Sequence, residues 1–399
     1  MYDAIVVGAR CAGSPTAMLL ARKGYRVLLV DKATFPSDMT MSTHWVHQPG
    51  VAALKRWGLL DKVRASNCPP LLTYRFDFGS FALTGAPPPA NGVAESYSPR
   101  RTVLDKILVD AAVEAGAEVR EGFVVEELAA DDDHVAGIRG RDKSGTKDAP
   151  RARIVIGADG LHSLVARAVK APEYNAKPEL MGTYFSYWSG VRLDGVHLYS
   201  GDYRFAYGWM TNDDLALVGV NWAIQDFRAV RHDITGNFLR ELARLTPVLA
   251  EQVRGGRREA KWLGGAVPNF FRKPYGPGWA LVGDAGYKKD PCTAAGITDA
   301  FRDAESLVQA IDEGLSGQRS LAEALADHQR RRDAVAMPIY EFTCEQAKFE
   351  PPSLEMQRLF QALHGNQDDT NRFFGLIAQT TSIPEFFAPQ NIQRIIASA

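Results

Sequence analysis

Three turns built of small residues, each directly after an apolar strand-like run, constrain this chain more than any other feature. They are Val6-Val7-Gly8-Ala9-Arg10-Cys11-Ala12-Gly13, then Gly157-Ala158-Asp159-Gly160, then Leu281-Val282-Gly283-Asp284-Ala285. The last is followed by Pro291 and by Ala295-Gly296-Ile297. One such turn arises readily by chance. Three in this order imply loops that hold one large redox cofactor from several sides.

The first turn opens a parallel sheet. Residues 3–8 read as a buried strand, and a helix follows from about Ala12 to Lys23 with Ala17, Leu19, Leu20 and Ala21 on its apolar face. Pro15 falls in the first helical turn, where a missing N–H costs little, and Gly24 suits a left-handed C-cap. Arg26–Asp31 is the second strand of a βαβ unit.

Further along, 50–63 predicts a helix. The stretch 70–97, with Pro87-Pro88-Pro89, leaves the first domain. Ser98-Pro99 starts a helix to about Ala115, with Val103, Leu104, Ile107, Leu108, Ala111 and Ala112 on one stripe. Residues 117–146 read as a meander of strands, and Arg153–Ala158 as another buried strand. From 180 to 265, aromatic-rich alternating runs imply an antiparallel sheet. The parallel-type pattern returns at Trp279–Gly283, with a helix from about Ala294 to Ile311. Residues 320–399 are mostly helical, with a capping-box spacing at Ser382 and Glu385 and core candidates at Phe373, Phe374, Phe386 and Phe387.

The implied architecture is α/β. A discontinuous Rossmann-like domain with a mostly parallel sheet spans 1–72, 98–170 and 272–320. A mostly antiparallel domain, 73–97 and 171–271, is inserted into it. A helical region, 321–399, follows. A chain of 399 residues exceeds a single core, which agrees with more than one domain.

The charges, 46 basic and 47 acidic, offer no case for nucleic acid or an anionic membrane. No apolar run reaches the ~18–20 residues of a membrane span. The cysteines, Cys11, Cys68, Cys292 and Cys344, have no C-x-x-C spacing. With no secretory pattern at the start, these features point to a reducing cytoplasm.

Several residues carry the chemistry. Arg10 occupies the middle glycine position of G-x-G-x-x-G; its guanidinium can meet a phosphate or lie solvated. Asp31, at a strand end, suits a ribose diol or is an exposed strand-end charge. Arg100 and Arg101 stand at a helix N-terminus, where an anion would offset their clash with the dipole. Asp159 and Asp284 can hold sugar or ribityl hydroxyls, and Asp284 can equally cap its turn. N–H groups of Gly296 and Ile297 can stabilise negative charge on a reduced ring system. His44 and His47 lack a third ligand, so no metal is expected. Tyr203, Phe205, Tyr207 and Trp209 recur with period two; they form either sheet core or an aromatic wall for a flat apolar substrate.

Up to about residue 315 the chain resembles the single-component FAD-dependent monooxygenases of the para-hydroxybenzoate hydroxylase fold. Their superfamily includes flavin-dependent halogenases and geranylgeranyl reductase-like enzymes. The resemblance implies that Gly8, Arg10, Cys11, Ala12 and Gly13 take the FAD pyrophosphate and that Asp31 takes the adenosine ribose. Arg101 lies along the cofactor, and Asp159-Gly160 belongs to a motif linked to both FAD and NAD(P)H. Gly283 and Asp284 hold the ribityl chain; Pro291, Gly296 and Ile297 flank the isoalloxazine. Lys32 and Val125 complete the implied cofactor contacts. Tyr287 stands where a His is common, and Ala295-Gly296 replaces Gln-Gly, features closer to the reductases and halogenases. The Trp-x-Trp-x-Ile-Pro signature of halogenases is absent.

The expected function is an NAD(P)H-dependent FAD monooxygenase. NAD(P)H visits transiently, O2 yields a C4a-hydroperoxyflavin, and one oxygen atom passes to a small, apolar or aromatic substrate. His47 and Tyr207 are the candidate catalytic residues. Alternatives are a flavin reductase or dehydrogenase of the same fold, a halogenase, and a non-enzymatic binding protein on a degenerate dinucleotide fold.

Overall fold

The computed structural model describes all residues except Thr40, Asp202 and Ala399. Its first sheet has six strands in the order Tyr275–Gly276, Trp279–Leu281, Ala152–Gly157, Tyr2–Val7, Val27–Asp31, Glu118–Glu121. All pairs are parallel except the one formed by Tyr275–Gly276. The central strands are buried on both faces, which their unbroken apolar runs require. Val7 lies opposite both Val30 and Gly157, and Gly157 lies opposite Leu281. The three small-residue turns therefore leave the sheet at one level of one edge, the carboxyl edge where open α/β sheets bind ligands.

The second sheet is mostly antiparallel and has eight strands, with Met181–Ser189, Ala216–Ala223 and Arg204–Met210 at its centre. Tyr74–Asp77 and Ala82–Gly85 extend it beyond Val196–Gly201. One face packs under three helices, Ile224–Val230, Ile234–Leu245 and Pro247–Gly255. The other face packs against the C-terminal helices Leu354–His364 and Gln367–Ala378. Long helices Gly296–Leu315 and Leu321–Gln346 join the two sheets' surroundings.

The structure departs from the sequence reading in particular places. The helix expected at 50–63 is two, Gln48–Arg56 and Leu60–Arg64, because Gly58 takes a left-handed φ of 76° and ends the first. Within 117–146, Glu118–Glu121 joins the parallel sheet; Val124–Asp131 and His134–Arg141 pair in a separate sheet that Lys147–Asp148 completes. The three helices at 224–255 interrupt the run read as strands. Asp233 caps one, accepting from Gly236 N–H, and Pro247 starts another at a position that needs no N–H. Tyr203 lies outside its strand, with φ 61° and half exposed, so the period-two aromatic face begins at Phe205. Ser382 accepts from Glu385 N–H, and a full capping box stands at Ser320 and Glu323. Phe373, Phe374 and Phe386 are buried, and Phe387 packs partly buried beside them. Among the described residues no helix is long and apolar enough to cross a membrane.

Candidate functional site

The glycines of the three turns are small because the turns touch. A Cβ on Gly8 would lie 2.5 Å from the Ala158 carbonyl oxygen, and one on Gly13 would lie 1.8 Å from the Gly8 oxygen. A Cβ on Gly283 would lie 2.7 Å from that of Ala12. Gly8 (φ 104°) and Gly283 (φ 61°) also hold backbone conformations that favour glycine. Residues far apart in the chain thus form one cradle.

Around the first turn, Asp31 accepts from Ala9 N–H through Oδ2 and from Ala33 N–H through Oδ1, each at 2.7 Å. Each carboxylate oxygen keeps a lone pair for a further donor such as a ribose hydroxyl. Lys32 beside it is exposed. The helix Gly13–Arg22 has no side-chain cap and no acid in its first turn, and the buried Ser14 hydroxyl has no partner. The Ser14 N–H is taken by the Arg10 carbonyl at 3.0 Å and Pro15 has none, so it is the orphaned Ser14 hydroxyl at this uncapped helix start that fits a pyrophosphate.

Arg10 turns elsewhere. Its guanidinium meets Asp105 at 2.5 Å and Ser37 Oγ at 2.9 Å. Asp105, fully buried, also receives Arg101 Nε at 2.9 Å and the Cys11 thiol at 3.4 Å. Burial pushes the Cys11 thiol up, so it stays protonated. Arg100 points away from this group and lies 4.8 Å over the Tyr187 ring. Asp105 escaped the sequence reading; its signal is the i,i+4 spacing from Arg101 on one helix.

In the second turn Asp159 accepts from Ser163 Oγ at 2.5 Å and Leu164 N–H at 2.6 Å, closing the start of the Leu164–Ala168 helix. Val125 packs on the opposite side of the parallel sheet, near Phe123 and Val7. In the third turn the half-buried Asp284 pairs with Lys288 at 2.8 Å. Pro291 opens a short turn that Asp290 caps by accepting from Cys292 N–H. The helix Gly296–Leu315 has no side-chain cap, and Gly296 faces open space. Ile297 is buried behind it.

The aromatic face of the second sheet leads to this loop. Tyr207 and Trp209 stack with centroids 5.3 Å apart, Trp209 and Trp45 lie 4.9 Å apart, and Trp45 and His47 4.3 Å. Trp209 Nε1–H donates to Ser98 Oγ at 2.9 Å, and the Tyr207 hydroxyl pairs with Thr183 Oγ1 at 2.8 Å. His47 Nε2–H donates to the Thr293 carbonyl at 3.0 Å, which leaves Nδ1 a bare acceptor without a partner. Burial pushes the His47 imidazole down to about 4. His44, buried with φ 65°, bonds Tyr187 through Nε2, and its Nδ1 has no partner. Three more ionisable residues behind the loop escaped the sequence reading. Lys289 and Asp299 form a buried ion pair, and Asp290, pushed up to about 7 by burial, keeps one buried oxygen unpaired.

Two digeranylgeranylglycerophospholipid reductases of Methanopyrus kandleri are similar to this chain. One is 28% identical over 309 residues, covering 74% of this chain and 73% of the reductase; the other is 26% identical over 392 residues, covering 94% and 98%. A flavoprotein/dehydrogenase of Cytophaga hutchinsonii has a similar fold, with TM-score 0.82 and 18% identity over 99% of this chain and 98% of that one. PqsL of P. aeruginosa, solved in complex with 2-aminobenzoylacetate, has TM-score 0.73 and 21% identity over 94% and 99%. The FAD binding domain family matches residues 1–232. With its three turns meeting in one cradle, the chain belongs to the FAD binding domain family and has the fold of an FAD-dependent oxidoreductase.

Proposed function

We propose that this protein is an FAD-dependent reductase that saturates carbon–carbon double bonds in a bulky apolar molecule of prenyl type. The observation that carries the reading is the continuous row of rings from Phe205 through Tyr207, Trp209 and Trp45 to His47, which hydrogen-bonds the loop expected to flank the flavin. A relative matched over nearly its whole length is a digeranylgeranylglycerophospholipid reductase, and such a row suits an apolar chain.

FAD, when bound, supplies the two-electron chemistry, with NAD(P)H as its source of electrons. The uncapped start of Gly13–Arg22 and Asp31 hold the pyrophosphate and ribose; Asp284 takes the ribityl chain; Gly296 and Ile297 present N–H groups to the ring. Arg101, held by Asp105, places a fixed positive charge beside Cys11 and the first turn. The sheet excludes water from the reacting carbons. Saturation also requires a proton, and the Tyr187 hydroxyl paired with His44 is the buried donor on that face. The free cysteines suit a reducing cytoplasm.

A second reading is the NAD(P)H-dependent monooxygenase, which the stacked Tyr207 and Trp209 rings favour because they match a flat aromatic substrate. One experiment separates the two. Protein loaded with FAD and reduced without oxygen is mixed with geranylgeraniol. Return of the oxidised flavin spectrum with a product carrying two added hydrogens supports the reductase. Reoxidation that needs O2, with a product carrying an added oxygen, supports the monooxygenase.

A further inference from the structure

A cavity of about 100 Å3 lies between the strand Tyr287–Lys288 and the long helices Gly296–Leu315 and Leu321–Gln346. Tyr287 forms one wall, Arg302 and Ser306 a second, and Arg331, Val335 and Ala336 a third. A water takes about 30 Å3 in the liquid, so the space admits only a few non-hydrogen atoms.

Unpaired donors gather around this space. Tyr287 is 5% exposed, and its buried hydroxyl has no partner. Burial pushes that hydroxyl up, so it stays protonated and can donate. Buried Nε and Nη2 of Arg331 also lack hydrogen-bond partners. Their N–H groups form the guanidinium edge that takes a carboxylate through two parallel bonds. Asp327 lies 3.6 Å from Nη2, beyond hydrogen-bond reach, and is shared with Arg319 and Arg330. The remaining charges on the walls are engaged. Arg332 meets Asp333 at 2.9 Å and the Tyr174 hydroxyl at 2.7 Å. Lys289 and Arg302 both pair with Asp299. Asp303 holds the Gly283 N–H with one oxygen and faces His328 Nε2 with the other. Arg302, Arg331 and Arg332 stand against Asp299 and Asp303, so the lining is net positive.

We propose that this cavity is a binding site, separate from the cofactor cradle, for a short-chain carboxylate such as acetate. The carboxylate accepts two bonds from the open edge of Arg331 and one from the Tyr287 hydroxyl. Its alkyl group packs on Val335 and Ala336. A metal cation would meet three guanidiniums, and a halide would leave the carbon wall unused. The site rests on neither reading of the reaction.

The test is calorimetric titration of the FAD-loaded protein with sodium acetate, alongside sodium chloride and acetamide. Sodium gluconate, an anion too large for the space, holds the ionic strength constant. Saturable millimolar binding of acetate is expected, as suits so small a ligand, with each control about 10-fold weaker or more. Tyr287→Phe removes a hydroxyl that has no partner in the protein, so its melting temperature without acetate should equal or exceed the parent's. Its acetate affinity should fall about 10-fold. Arg331→Gln, at a partly exposed position that tolerates the change, should lose about 10-fold or more. No saturable acetate binding up to about 50 mM would mean that water alone fills the cavity, and overturns the proposal. Chloride binding as tightly as acetate, or parent-like acetate affinity in either variant, overturns it as well.

Discussion

The backbone N–H of Gly283 donates to the buried Asp303 carboxylate at 2.9 Å, and this bond holds the turn that carries Asp284. The other carboxylate oxygen lies 3.5 Å from Nε2 of the fully buried His328, whose Nδ1 pairs with Ser306 Oγ at 2.9 Å. Asp303 is thus supported from two helices while it grips the turn. Asp303→Ala leaves a buried N–H unpaired, a cost of about 1–3 kcal/mol. FAD affinity is expected to fall roughly 10-fold. Asp303→Asn keeps an acceptor and should stay within about threefold of the parent. Titrating apoprotein with FAD and following flavin fluorescence reads both. Equal affinity in the alanine variant would remove Asp303 from the cofactor site.

Gly283 and Ala12 make a second, steric link between turns. A Cβ at 283 would sit 2.7 Å from the Ala12 Cβ, at a φ of 61°. Gly283→Ala should lower stability by about 1–2 kcal/mol through backbone strain and about 1–3 kcal/mol more through overpacking. Adding Ala12→Gly removes the clash and leaves the strain. The double variant should therefore recover only the packing part of the loss, measured as melting temperature and as flavin retained on purification. Additive losses in the two single variants would mean the turns do not touch.

The cradle was legible in the sequence because its signals are local. A strand, a glycine turn and a helix start follow one another within a few residues, and Gly8, Gly13, Asp31 and Gly283 each sit where the spacing puts them. Buried charges were not legible. Asp105, Lys289, Asp299 and Asp303 look like ordinary surface charges on helices or loops, and only packing against distant elements makes them interior. The helices at 224–255 were missed for a related reason: their apolar stripe, including Phe238 and Leu242, sits in aromatic surroundings that also suit strands. Arg10 shows the limit most clearly. Its place in the fingerprint suggests a phosphate ligand, yet its partner Asp105 lies on a helix some 95 residues further along the chain.

Asp290 and His47 should give the fold opposite pH dependences. Asp290 has its folded carboxyl pushed up to about 7 by burial, from 3.8. The folded state therefore binds more protons between those values, and this contribution is full below 3.8 and lost as pH rises through about 7. Burial pushes His47 down to about 4, from 6.5. Here the unfolded chain binds more protons, so stability falls as pH drops from 6.5 toward 4. Relative to the parent, Asp290→Asn should gain stability as pH rises from about 4 to 7 and hold that gain above it. His47→Gln should gain as pH drops below 6.5. Melting temperatures measured across pH 4–8 check both, and parallel curves for parent and variants would contradict the assignments.

Lys289 and Asp299 tie the loop before residue 296 to the helix Gly296–Leu315. Their side chains are 4% and 6% exposed. Asp299 also receives Arg302 at 2.7 Å, and the Lys289 ammonium lies 4.8 Å from the Tyr287 ring centroid. Breaking a buried pair by removing one partner costs about 3–5 kcal/mol. Arg302 remains beside Asp299, so Lys289→Met should fall at or below the lower end of that range. Asp299→Asn added to Lys289→Met leaves no uncompensated carboxylate and should recover part of the loss. Because the pair lies behind the loop and not in the sheet core, its loss should loosen the loop first. On heating Lys289→Met, flavin fluorescence should rise at a lower temperature than the loss of far-ultraviolet circular dichroism. Coincident transitions in both signals would show that the pair supports the whole fold and not the loop.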